Sequence, residues 1–221
     1  MRPWVALLAL ANITVWEYAV GIAADSLVVL LLLAAWATWR CLWVSALLMG
    51  AAIATRQNAW FFLPFYAVLI GRTDGWRMLV KRGLVIGVVF GVLNGLFFIQ
   101  SPGAWTAGVL GQLMDPMFSL GSGFITLADL GWLPLWSRHT YAVLELVALI
   151  VCVLVYARTC RQHPGTACVL ALVPLLFAWR SPLLYFVPLT LLCLWPLLAD
   201  LGAHDHPLTG PRPAHTTTPV S

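Results

Sequence analysis

Charge is what this chain has least of: Asp, Glu, Lys and Arg together make up 9% of its 221 residues. So little polar surface cannot cover a water-soluble globule of that length, which excludes an ordinary soluble domain. The alternation of polar and apolar positions that a barrel strand needs is missing too, and Leu27 to Trp36 is instead a continuous apolar run. Only helices and closed barrels satisfy the backbone in lipid, so a helical bundle remains. No basic stripe with interleaved aromatics lies outside the apolar runs, so the formal charge of +4 marks topology rather than a nucleic-acid surface. The five cysteines, Cys41, Cys152, Cys160, Cys168 and Cys193, include no CxxC pair and read as small buried hydrophobes. No GxSxG, HExxH, Walker loop or dinucleotide fingerprint occurs.

Apolar sequence is what abounds, at 62% of the chain with a mean hydropathy of +0.91. This predicts an all-α, polytopic transmembrane bundle of about eight spans over residues 1–199, then a disordered cytoplasmic tail, 200–221, rich in Pro, Thr and His. Met1-Arg2 and the apolar run to Val20 have the outline of a signal peptide, but Glu17 within the run favours a first span. Asp25-Ser26 supplies an N-cap for a second helix ending near Trp39-Arg40.

The organising stretch is Ala54 to Ile70, where the polar knot Thr55-Arg56-Gln57-Asn58 interrupts apolar sequence. It separates either two short helices, Leu42 to Ala54 and Ala59 to Ile70, or the halves of one broken helix. Charge favours two helices. Arg2, Arg40, Arg72, Arg77, Lys81, Arg82, Arg158 and Arg161 then share one side, the cytoplasmic one by the positive-inside rule, with both termini there. One long helix would leave Arg56 in mid-membrane at about 2.5 to 3.5 kcal/mol.

A cytoplasmic loop, Gly71 to Arg82 with Asp74-Gly75 as its turn, should precede the span Gly83 to Phe98. Glycines at 83, 87, 91 and 95 predict a groove for close approach by a neighbouring helix rather than a channel-forming zipper. From Gln100 to Thr140, prolines, glycines, Trp105, Trp132 and Trp136 predict an extracytoplasmic loop with short interfacial helices. Spans Tyr141 to Tyr156, Thr166 to Trp179 and Pro182 to Leu198 follow, the last two joined through Arg180-Ser181-Pro182. His204-Asp205-His206 in the tail lacks a second ligand cluster and is no metal site.

This topology strands Arg56, Arg138 and Arg180 on the outer side. Each alone is compatible with snorkelling to headgroups, but three at one depth favour a shared anionic ligand. Guanidinium forks suit phosphate, which makes a lipid phosphate or pyrophosphate the candidate ligand. Asp25 reads as a helix cap and Asp115, before Pro116, as a turn residue. Glu17 and Glu145, with Asp25 as a further possible charge partner, could neutralise one of these arginines, and Glu17 or Glu145 could instead serve as general base.

The segment ATRQNAWFFLPF resembles the part of GT-C-type membrane glycosyltransferases in which a basic, Gln-containing knot opens a helix ending in Leu-Pro-Phe. GIAADSLVVLLLLA, SPGAWTAGVLGQLMDPMFSLGSG and WRSPLLYFVPL are similar to other segments of that group, in the same order, over roughly residues 10–199. The resemblance implies sugar transfer from a polyprenyl-phosphate donor to an extracytoplasmic acceptor, in a bundle of a bacterial plasma membrane. It also implies lipid-phosphate binding at Arg56 and Gln57, and at Arg138 and Arg180. Such enzymes carry a catalytic acid in their first long outer loop. This chain begins at what corresponds to their middle, so the catalytic residue is not assigned, and a divalent metal requirement stays open. A carrier using Glu17, Glu145 and the glycine groove, and a noncatalytic scaffold, are the alternatives. A carrier should show an internal repeat, and none is evident.

Overall fold

A computed structural model describes residues 23–114 and 123–179, where the chain is all-helical with no strand among the described residues. The expected first span with Glu17, the turn at Asp115, the Arg180-Ser181-Pro182 joint, the last span and the tail lie outside them.

α1 (Ala23–Ala37) and α2 (Leu42–Thr55) pack together across a short turn. Asp25 is in helical backbone at the start of described α1. After α2 the chain is extended at Arg56 (φ −151°, ψ 145°), turns through a 3-10 segment, Gln57–Phe62, and enters α3 (Leu63–Thr73) with Pro64 in its first turn. Proline is tolerated there because the first N–H groups have no intrahelical partner.

The two halves of this stretch form a hairpin. Ser45 lies eleven residues before Arg56 and Tyr66 ten after it, yet their hydroxyls are 2.7 Å apart. In one straight helix, the 21 residues between them would span about 32 Å. The two-helix arrangement over 42–70 is therefore the observed one.

Only Asp74 and Gly75 separate α3 from α4 (Trp76–Gln100), with Gly75 at φ +84°, which glycine adopts without strain. The long loop expected over 71–82 is thus corrected, since Arg77, Lys81 and Arg82 are helical. The 25 residues of α4 rise about 37 Å, more than a hydrocarbon core of about 30 Å. α2 runs parallel to α4 and close against it. Ser45 meets Arg82, Gly50 faces Ile86 and Val89, and the Ala54 carbonyl accepts from Asn94. A Cβ at Gly50 would lie 2.8 Å from Val89 Cβ, so this glycine permits the approach. Gly83, Gly87, Gly91 and Gly95 have nothing within 4 Å of an added Cβ. The groove expected at those four is therefore not filled by a described helix.

The chain then folds back through α5 (Pro102–Met114), α6 (Ile125–Asp129) and an irregular segment to α7 (Arg138–Thr159). Short helices over 100–140 match the expectation. Ser137 caps α7 by accepting from the Thr140 N–H. The single span expected over Thr166–Trp179 is instead broken into a 3-10 turn, α8 (Ala167–Leu170) and α9 (Val173–Phe177). Pro174, which has no N–H to donate, follows the break at Ala171-Leu172.

The core gathers where α1, α3 and α7 meet. Trp36 stands edge-on to Phe62 and Tyr66, and Phe65 to Tyr156. The Pro164 carbonyl accepts from both the Trp36 indole and the Tyr156 hydroxyl. A smaller cluster of Ile125, Tyr141 and Trp179, with Phe124 and Trp136 against it, closes the other end of α7. Of the cysteines, Cys152, Cys160 and Cys168 are buried as expected, whereas Cys41 in the α1–α2 turn is exposed.

α4 and α7 are the described helices long and apolar enough to cross a membrane. Their apolar surface faces outward. Of the most apolar 18-residue window only 6% is buried in α4 and 17% in α7, unlike the core helix of a soluble domain. The remaining helices are too short to cross alone, so the eight-span count is not recovered.

Candidate functional site: the polar pocket at the hairpin tip

The knot at 55–58 cannot continue α2, because its polar side chains and the extended Arg56 end the apolar helix. Two bonds tie the tip: Trp60 Nε1 donates to the Ile53 carbonyl at 2.9 Å, and the Ala59 N–H to the Arg56 carbonyl at 3.3 Å. Thr55 Oγ1 turns back to the Ala51 carbonyl at 2.8 Å. The knot thereby becomes one wall of a pocket of about 160 Å³. Phe90 and Asn94 of α4 form a second wall, and Gly108 and Val109 of α5 a third. At about 30 Å³ per water, this is room for roughly five waters or one phosphate-sized group.

Asn94 holds the walls together. Its Nδ2 donates to the Ala54 and Phe90 carbonyls at 3.4 and 3.3 Å, and its Oδ1 accepts from Trp105 Nε1 at 3.2 Å. Trp105 also meets Phe98 edge-on, with centroids 5.4 Å apart. Among the described residues lining the pocket, Arg56 is the charged one. Carboxamides of Gln57, Asn58 and Asn94 stand beside it. Such a lining suits a small anion with several acceptor oxygens.

Of the residues singled out in the sequence, the pocket brings together Arg56 and Gln57. Arg138 is exposed at the head of α7 and does not line it. Arg180 and Glu17 lie outside the described residues, and Asp25 is on α1. Glu145 is half-buried two turns into α7, does not line the pocket and makes no ion pair with a described residue. The expected pairing of Glu145 with an arginine is thus absent among the described residues. No group of three His, Cys, Asp or Glu that could hold a metal occurs among them.

The sequence reading passed over Asn94, though it is the lone polar side chain between Gly83 and Ile99, and such residues in apolar helices are seldom idle. It also took Arg82 for a surface charge. Arg82 is 1% exposed and pairs with Asp74 at 2.7 Å. It also donates to Ser45 Oγ at 2.9 Å, to Tyr66 OH at 3.0 Å and to the Trp39 carbonyl. It lies twelve residues, about 18 Å, down α4 from Asn94, at the far end of the hairpin from the pocket.

In comparisons with known proteins, no family model, no curated protein and no solved structure matches this chain, so the glycosyltransferase resemblance rests on the quoted segments alone.

Proposed function

We propose that this is a multi-pass membrane protein whose hairpin-tip pocket holds the phosphate of a polyprenyl-phosphate-linked sugar, with Arg56 as the principal anion contact. The observation that carries the proposal is the convergence of Arg56, Gln57, Asn58 and Asn94 on one small pocket. The position of that pocket supports the lipid source of the phosphate. It opens near the α4 end that adjoins exposed apolar surface, Leu96 and Ile99, whereas Arg77, Lys81 and Arg82 occupy the other end. A headgroup there keeps its chain in the bilayer.

Arg56 would meet the phosphate with charge-assisted hydrogen bonds and the Gln57 and Asn58 carboxamides would donate to its remaining oxygens, with Asn94 holding the wall in place. In a glycosyl transfer, the same guanidinium would stabilise charge building on the departing lipid phosphate. The general base that such a transfer needs is not assigned to any described residue.

The test is binding of a polyprenyl phosphate to the full chain in lipid nanodiscs. Arg56→Ala should weaken binding by about tenfold or more, the usual loss of a hydrogen bond to a charged group. Arg56→Lys should recover part of it, because the charge returns without the fork. Binding equal to wild type in both variants, with helicity unchanged, would refute the proposal.

A further inference from the structure

The basic end of the molecule gathers exposed arginines from two elements. Arg161, just beyond α7, donates through Nε and Nη2 to the Arg72 carbonyl at 3.2 and 2.9 Å, which fixes the end of α3 to the end of α7. Arg158 precedes Arg161 by three residues in the last turn of α7. Three arginines from two elements are thereby collected at one junction, all of them exposed. None forms an ion pair with a described carboxylate, and Asp74, the nearest acid in sequence to Arg72, is committed to buried Arg82.

Cations gathered at one junction repel one another, and no described carboxylate offsets these three, so an anion bound there would relieve the repulsion. The junction also sits on the boundary of apolar surface. Leu154 and Val155, exposed on α7, come within one turn of Arg158, and exposed Trp76 begins α4 just beyond the α3–α4 turn. Exposed aliphatic residues below, cations above and tryptophan at the same level describe headgroup depth. We propose that Arg72, Arg158 and Arg161 form a discrete binding site for the phosphate of an anionic phospholipid, independent of the pocket at the hairpin tip. The Arg161–Arg72 bond makes occupancy of this site a brace between α3 and α7, whose contact includes Phe65 against Tyr156.

The full chain in nanodiscs of phosphatidylcholine, doped with dansyl-labelled phosphatidylglycerol, reports occupancy by energy transfer from its tryptophans. Arg158→Gln should weaken recruitment about fivefold and the Arg72→Gln/Arg158→Gln/Arg161→Gln triple upwards of twentyfold, with added salt weakening the wild type. Arg40→Gln/Arg77→Gln/Lys81→Gln removes the same charge elsewhere at this end and should cost several-fold less than the first triple. Equal losses in the two triples would reduce the site to diffuse surface charge and overturn it, as would no loss in Arg158→Gln. If the first triple does not fold, the single Arg158→Gln, on an exposed side chain, decides. Inorganic phosphate at millimolar concentration should compete weakly. Displacement as effective as by unlabelled phosphatidylglycerol would make the ligand a soluble phosphate and overturn the lipid assignment.

Discussion

Gly50 and Gly87 differ in what surrounds them, although both sit in apolar helices. A methyl group at Gly50 would press on Val89 Cβ at 2.8 Å and on the Ile86 carbonyl at 3.2 Å, whereas at Gly87 it would meet nothing within 4 Å. Gly50→Ala should therefore destabilise the protein by about 1–3 kcal/mol, the usual cost of overpacking. Gly87→Ala should be neutral or better by up to ~1 kcal/mol through helix propensity. Thermal unfolding of both variants in detergent checks this, and a loss at Gly87 as large as at Gly50 would contradict the open face. Arg82 supports a second prediction. Removing its side chain leaves Asp74 and the Trp39 carbonyl without their partner and empties a buried site, while Ser45 and Tyr66 keep their mutual bond, so Arg82→Ala should cost about 2–5 kcal/mol. Asp74→Asn should cost less, because the carboxylate is 28% exposed and water can stand in for part of the pair. None of this could be read from the sequence around Arg82. Its partners Trp39, Ser45 and Tyr66 are 43, 37 and 16 residues away, and a cationic run beside an Asp-Gly turn has the composition of a loop.

At the scale of elements, the hairpin was legible because two local signals agreed: a polar knot no apolar helix can absorb, and a charge pattern that made a crossing at Arg56 costly. The Asp74-Gly75 turn was legible for the same kind of reason, since glycine alone takes its backbone angle cheaply. The glycine series on α4 was legible as a face, but spacing fixes only which residues share a face and says nothing of what covers it. α5 as a pocket wall was not legible either, because its attachment depends on Trp105 folding back to bond Asn94 and to pack on Phe98. That attachment predicts separable effects. A Cβ at Gly108 meets nothing within 4 Å, so Gly108→Leu should extend a side chain at the pocket wall with little cost to the helix. Polyprenyl-phosphate binding should fall by tenfold or more while the melting temperature stays near wild type, the charge-assisted contacts being blocked rather than the fold broken. Asn94→Ala should instead loosen α5, seen as faster hydrogen exchange over residues 102–109. Unaltered binding in Gly108→Leu would place the ligand elsewhere.

For the whole molecule, the distribution of charge along the helix axes carries the orientation. Arg40, Arg72, Arg77, Lys81, Arg82, Arg158 and Arg161 occupy turns and helix ends at one end of the bundle, with Trp39 and Arg72 tied there by Arg82 and Arg161. Arg56 and Arg138 belong to the other end, because α2 runs parallel to α4 and α7 returns antiparallel to it. If the hairpin crosses the bilayer as proposed, the positive-inside rule would put the basic end in the cytoplasm and the hairpin tip outside. Cys41, exposed in the α1–α2 turn beside Arg40, is a natural reporter of the basic end. In a background where Cys152, Cys160, Cys168 and Cys193 are alanine, a membrane-impermeant thiol reagent should label Cys41 in inside-out vesicles and spare it in right-side-out ones. With Cys41 also replaced, Asn58→Cys at the pocket should give the opposite pattern. Both sites labelled from the same side would mean that the hairpin does not cross the bilayer, and the pocket would then face the compartment of the basic end, away from an extracytoplasmic acceptor. Labelling from opposite sides would put the polar pocket at the hairpin tip and the arginine junction at the ends of α3 and α7 on opposite faces of the bilayer, so that each face would bear its own phosphate contact.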